Sequence, residues 1–324
     1  MCGAYRVQNS TCPAPQQNAP AKDLVKAFWI VTPSYNQAEW LRLCIASVRD
    51  QVGGGAGRIR VHHHVQDAHS SDNTLELLAT HERAVSPAGY SFSYCVQHDG
   101  GMYDAINRGW RAAPPDADYV AHLNCDEQYL PGALQRVAEA FSGSSELLVL
   151  LADLIVVDQQ GTYVCHRRSL KPYRWLSRFC CAGFTASTFQ SRQITQQKEV
   201  YFDTSWRNIG DKVWYNALYE AGVKFQVLNE PVAIFTDTGE NLNWTESGQQ
   251  ERERYAQAYQ GGWQQGSAWV ARVNAVRRAI KERHISPPDE YHIYTQSSPG
   301  HRVRFSITNP TGHWHKRWPA RKTT

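Results

Sequence analysis

Tyr119-Val120-Ala121-His122-Leu123-Asn124-Cys125-Asp126-Glu127 is the stretch on which the reading of this chain turns. A short apolar run ends in an amide and two carboxylates. A strand that stops this way offers oxygen ligands at the carboxyl edge of a sheet, the edge where open α/β sheets bind their ligands. Oxygens of this kind suit a hard divalent cation, Mg2+ or Mn2+, which in turn holds phosphates. Acidic loops after strands are more often simply solvated, so the neighbouring segments decide.

Upstream, the same grammar occurs three times. Phe28-Trp29-Ile30-Val31-Thr32 is a β-rich run stopped by Pro33-Ser34, and Trp40, Leu41, Cys44, Ile45 and Val48 follow at helical spacing. After a Gly-rich break at 53–57, Arg58 to Val65 predicts a second strand closing at Gln66-Asp67. Ser70-Ser71-Asp72-Asn73 then supplies N-caps for a helix carrying Leu75, Leu77 and Leu78. The third unit is Phe92 to Val96, then Gln97-His98-Asp99-Gly100-Gly101 and a helix from about Met102 to Ala112; the fourth is the acidic turn, with Pro131 opening a helix. Four strand–loop–helix units predict a mostly parallel, doubly wound α/β sheet with helices on both faces and the polar loops along one edge.

Beyond Val149 the grammar changes. Leu147 to Val157 and Gly161 to His166 predict a strand pair, Thr185 to Gln190 another strand, and Gly210-Asp211 a helix start. Val223 to Leu228 and Val232 to Thr236 predict two further strands. Two helices flank Gly261-Gly262, the second striped by Val270, Val273, Val276 and Ile280. The expected domains are a disordered extension (1–27), a core domain (28–240, halves 28–146 and 147–240), C-terminal helices (241–297) and a basic aromatic tail (298–324).

Composition narrows the class. With 324 residues, 42% of them hydrophobic, and 11 Trp, 16 Tyr and 10 Phe, the chain can bury a large core. Its longest apolar run, Leu147 to Val157, is broken by Asp153 and is too short to cross a bilayer. The N-terminus has no apolar core of the secretory kind. Eight cysteines without a CxxC pair fit reduced thiols and a cytoplasmic setting. From Ser298 onward six basic residues stand without an acid and with Phe305, Trp314 and Trp318 among them, which suits an anionic membrane surface better than nucleic acid. His62-His63-His64 cannot converge on one ion, because adjacent strand side chains point to opposite faces.

The order of these segments resembles the inverting nucleotide-sugar glycosyltransferases of family 2, which have the GT-A fold. Thr32-Pro33-Ser34-Tyr35-Asn36-Gln37, Asp67 with Ser70 to Thr74, Asp99 to Gly109, Leu123 to Leu134 and Gly210-Asp211 through Phe235 carry the likeness. The resemblance implies that Thr32, Pro33, Tyr35 and Asn36 contact the nucleotide and that Asp67 accepts hydrogen bonds from its base. It places Gly101, Asp104 and Asn107 beside the donor pocket. Asn124-Cys125-Asp126 matches the family's DxD position with Asn124 for the first acid, so Asp126 is the expected metal ligand for Mg2+ or Mn2+. Asp211 is the expected general base, or else a helix-capping Asp; a helix start should lower its pKa, a shift that the nearby diphosphate would oppose. The second acid often found two residues on is Val213, and Thr238 stands where many relatives have His. Trp206, Trp244 and Phe184 are candidates for an acceptor groove.

The implied activity is transfer of a sugar from a nucleotide diphosphate to a hydroxyl, with inversion. The expected acceptor is a lipid-linked saccharide, as in polysaccharide assembly, with the protein peripheral at the inner membrane face. The alternatives are a catalytically silent nucleotide-sugar-binding scaffold and a nucleotidyltransferase. The second would carry a basic glycine-rich loop after strand one, which Pro33 to Gln37 lacks.

Overall fold

The computed structural model describes residues 25–52, 59–141, 147–181, 183–239, 245–260, 264–282, 288–312 and 314. The expected disordered extension lies outside these up to residue 24, but strand β1 (Lys26–Ser34) begins earlier than foreseen. Four parallel units follow the predicted order: β1, α1 (Ala38–Arg49), β2 (Ile59–Asp67), α2 (Thr74–Arg83), β3 (Tyr90–Val96), α3 (Met102–Arg111) and β4 (Tyr119–His122). After them come β5 (Glu127–Tyr129), α4 (Ala133–Phe141), β6 (Leu148–Asp158), β7 (Tyr163–Arg167), α5 (Arg174–Ser177), β8 (Thr188–Ser191), α6 (Arg192–Gln197), α7 (Gly210–Glu220) and β9 (Lys224–Asp237). The chain then forms α8 (Glu246–Gln260), α9 (Gln264–Glu282), β10 (Glu290–Thr295) and β11 (Ser298–Ser306).

The main sheet runs β3-β2-β1-β4-β8-β6-β9-β5, with β7 beside β6. β1 pairs in parallel with β2 and β4, and β2 with β3, so their ends and the loops after them share one edge. β8 runs antiparallel to both β4 and β6 and joins the two halves. β6 is buried along nearly its whole length, as expected of a central strand covered on both faces. Val149, Leu150, Leu151 and Leu154 are wholly shielded; each such side chain contributes about 1.5–3 kcal/mol. Asp153, which interrupts that run, is buried but satisfied by the Ser169 N–H (2.9 Å) and His166 Nε2 (3.1 Å).

Several sequence expectations are corrected. The two strands foreseen at 223–228 and 232–236 are one, β9, kept continuous by irregular pairing opposite Asp153. Thr185–Ser187 is a 3-10 turn ahead of β8. The C-terminal helices do not reach 297, because β10 starts at Glu290, and the basic tail is structured at its start, where β11 pairs with β10. Its cations are engaged: Arg302 binds Asp50 and Arg304 binds Glu290. Trp314 packs on Phe184 and Phe235 and donates to Asp237 (3.1 Å). Trp318 and the remaining tail basics lie outside the described residues. Among the described residues no helix is long and apolar enough to cross a membrane.

The histidine run alternates as its strand requires. His62 stacks on Trp29 (4.1 Å) and, like His64, pairs with Ser93, whereas His63 is buried against Thr32.

Candidate active site

The first two loops lock together. Asp67, level with Ser34 across the β1–β2 ladder, is fully buried and accepts both the N–H (2.9 Å) and the O–H (2.6 Å) of Ser70. Ser70 Oγ accepts the Asn36 N–H (2.8 Å), and Asn36 Oδ1 accepts the Ser71 N–H (2.7 Å). Asp72 accepts the Ala38 N–H (3.0 Å). Asn36 holds φ 51°, a left-handed conformation that Asn tolerates better than most residues. Asp67, expected to accept hydrogen bonds from the base, here receives two from Ser70 and orders the loop that carries Tyr35. The Tyr35 ring is 62% exposed and offers a flat face to a base. Thr32 is corrected, for its hydroxyl is buried and pairs with His63 Nε2 (2.8 Å). Pro33 is buried, and its carbonyl accepts the Cys125 thiol (3.2 Å).

The third loop is built on glycine and carboxylates. Gly101 has φ 113°, and nothing lies within 4 Å of where a Cβ would stand, so a non-glycine residue is excluded by backbone conformation and the space above stays open. Its N–H is held by Asp99 Oδ1 (2.8 Å). Burial raises the Asp99 pKa, with Asp104 and Asp67 adding to it against the Gly101 N–H and Arg108. Sequence reasoning passed over Asp99; its place just beyond a strand end was the available signal. Burial would also raise Asp104, but the Gly100 N–H (2.9 Å) and the Arg108 guanidinium (2.8 Å) hold it below the ordinary value. Asn107, expected beside the donor pocket, is buried. Its amide donates to the Phe202 carbonyl (2.8 Å) and accepts the Phe202 N–H (2.9 Å), which uses both ends.

At the acidic turn the Leu123 N–H extends the β1 ladder to the Val31 carbonyl (3.0 Å). Glu127 Oε2 accepts the Asn124 N–H (2.8 Å) and closes the turn. Glu127 is buried and Asp126 partly exposed. Burial raises both pKa values, and for Glu127 the Asp126 charge adds to it. Adjacent carboxylates in such surroundings favour a cation beside them. Asn124 Oδ1 is buried without a hydrogen-bond partner. A neutral oxygen and a carboxylate two residues apart fit a hard divalent ion, though they do not fill its sphere. Among the described residues no three His, Cys, Asp or Glu side chains gather into a metal cage.

Asp211 lies in the first turn of α7, against the third loop's helix. Its N–H donates to the Tyr103 hydroxyl (3.2 Å), and Tyr103 is the second residue of α3. Gly210 fits beneath the same ring, where a Cβ would stand 2.5 Å from a ring carbon. The loop before α7 is tied down from α8: Glu251 accepts the N–H groups of Arg207 (2.7 Å), Asn208 (2.8 Å) and Ile209 (3.2 Å). Nothing local in sequence announces that contact. The helix start does not decide the Asp211 pKa: burial raises it, outweighing the Lys212 N–H and ammonium. Trp206 is buried beneath Arg254 (4.1 Å) and beside Tyr255, so it is core and not an acceptor platform, and Phe184 packs on Phe235. Trp244 lies outside the described residues.

The loops after β1 to β4 thus share one edge of the sheet, and Tyr103 joins Asp211 to that edge. The model of glycosyl transferase family 2 matches residues 29–229, and the chain belongs to that family. Two uncharacterized glycosyltransferases, from two strains of Mycobacterium tuberculosis, are each 31% identical over 114 residues. That alignment spans 35% of this chain and 39% of each relative. Among solved structures, a mannosyltransferase from Pyrobaculum calidifontis in complex with GDP-Man and Mn2+ superposes with a TM-score of 0.53 at 13% identity, over 73% of this chain and 65% of that one. S. aureus TarS 1-349 in complex with UDP-GlcNAc superposes with a TM-score of 0.50 at 17% identity, over 67% and 60%. The fold is GT-A.

Proposed function

We propose that this protein transfers a sugar from a nucleotide diphosphate to a hydroxyl of a saccharide acceptor, with inversion and with help from Mg2+ or Mn2+. The observation that carries the reading is the tie between Asp211 and the ligand edge through Tyr103. The Tyr35 ring and the Asn36 loop hold the base, with Asp67 as the buried lock beneath them. Gly101 leaves room for the donor. Asp126, with the Asn124 amide oxygen beside it, holds the cation, which would neutralise the departing diphosphate. Asp211 takes the proton of the attacking hydroxyl, and its raised pKa makes it a stronger base than an ordinary aspartate. A lipid-linked acceptor and a cytoplasmic, membrane-peripheral setting complete the proposal.

The departures at Asn124, Val213 and Thr238 favour one other reading, a donor-binding protein without turnover. Diphosphonucleoside release with Asp211→Asn separates the two. The enzyme reading expects a loss of about 10²–10⁴-fold in turnover with nucleotide binding retained. No turnover in either protein, across UDP- and GDP-sugars with Mn2+, would leave the scaffold. Thermal shifts should favour uridine or guanosine diphosphate with the metal present; stabilisation by adenosine nucleotides alone would overturn the donor assignment.

A further inference from the structure

We propose that the outward face of α9, with the chain segment beneath it, docks this protein onto an anionic phospholipid surface. α9 leaves part of its apolar surface uncovered. Trp269, Val276 and Ile280 fall within about 40° of one another at ~100° per residue, yet they are 60%, 58% and 55% exposed. Among its described residues Val270 is buried and Val273 half-buried, while Arg277 donates to the Lys171 carbonyl (3.0 Å) and Arg278 to the Arg168 carbonyl (3.2 Å). An amphipathic helix ordinarily buries its apolar side, so the exposed stripe calls for a partner.

The surroundings specify its chemistry. Beside Ile280 a groove of about 760 Å³ is lined by Lys171, Lys224 and Arg277, with no carboxylate among its described lining residues. Tyr173 lies in the same groove under the Arg277 guanidinium (4.7 Å), and Trp175 stands half exposed two residues on. Exposed Trp and Tyr among cations match the boundary between lipid headgroups and acyl chains. A second copy of this chain fits less well, since the described lining of the groove has no acid with which an isologous contact could answer its cations.

The inference rests on the membrane-peripheral part of the proposed function, but its test uses no donor or acceptor, so it can fail separately from sugar transfer. Full-length protein should co-sediment with phosphatidylcholine vesicles containing phosphatidylglycerol, and more weakly with phosphatidylcholine alone or at high salt. The variant Trp269→Ser/Val276→Ser/Ile280→Ser, altered only at exposed positions, should keep its melting temperature and bind about tenfold or more weakly. Lys171→Gln should cost about fivefold. Wild-type protein that ignores anionic vesicles, or a triple variant that binds them as wild type does, would overturn the proposal. So would a triple variant that only turns a dimer into a monomer in sedimentation velocity, which would assign the face to a second copy.

Discussion

Asp211 carries a cost along with its proposed role. Its folded pKa is raised above the ordinary 3.8, so the folded chain holds this proton more tightly than the unfolded chain does. That contribution to stability is complete below 3.8 and is lost as pH rises through the raised value. Asp211→Asn should therefore melt higher than wild type at neutral pH, with the gain vanishing in acid; a variant less stable at pH 7 would contradict burial as the cause. Activity should move oppositely, with an acid limb displaced above the ordinary aspartate range. Tyr103→Phe tests the neighbouring contact. Loss of the acceptor for the Asp211 N–H should cost about 1 kcal/mol of stability and lower kcat more than it raises KM. The positions of Asp211 and Asp126 at element ends were legible, because a short motif places each there. Their surroundings were not. Neither the pairing of Asp67 with Ser70 nor the burial that raises the Asp211 pKa follows from spacing along the chain.

At the scale of elements, α3 is the part that binds the two halves of the site. Its outer end presents the Gly100-Gly101 turn, its second residue touches Asp211, and Asn107 clamps the Phe202 backbone from both sides. Asn107→Ala would leave a buried N–H and a buried carbonyl without partners, at about 2–4 kcal/mol. Denaturant unfolding should register that loss, with urea midpoints near wild type counting against the clamp. Gly109 faces β1 so closely that a Cβ would lie 2.4 Å from Val31 Cγ1, and Gly109→Ala should cost about 1–3 kcal/mol through overpacking. The four early units could be read from sequence because strand period, cap residues and turn glycines are local signals. The end of the chain could not. Arg302, Arg304 and Trp314 have the composition of a solvated tail, and only contacts with residues far away, such as Asp50 and Asp237, show that they are structured.

For the molecule as a whole, those distant contacts act as a strap from the last hairpin to the acidic turn. Arg302 grips Asp50 with Nε (2.6 Å) and Nη2 (2.9 Å), and Nη2 also donates to the Tyr129 carbonyl (2.9 Å) in β5. Gln128, the middle residue of that three-residue strand, exchanges hydrogen bonds with the Tyr294 carbonyl and N–H, both at 2.9 Å. Tyr294 in turn donates its hydroxyl to Asp50 (2.9 Å). β5 follows Asp126 directly and is too short to hold its register by pairing with β9 alone. Arg302→Ala should therefore act at two distances. Losing the charge-assisted bonds should cost about 2–3 kcal/mol of stability. The freer turn should weaken Mn2+-dependent binding of a nucleoside diphosphate more than binding of the metal-free nucleotide, read by calorimetry with and without the ion. Equal weakening of both would make the hairpin a general stabiliser, whereas selective weakening would mean that residues at the far end of the chain set the geometry of the metal turn.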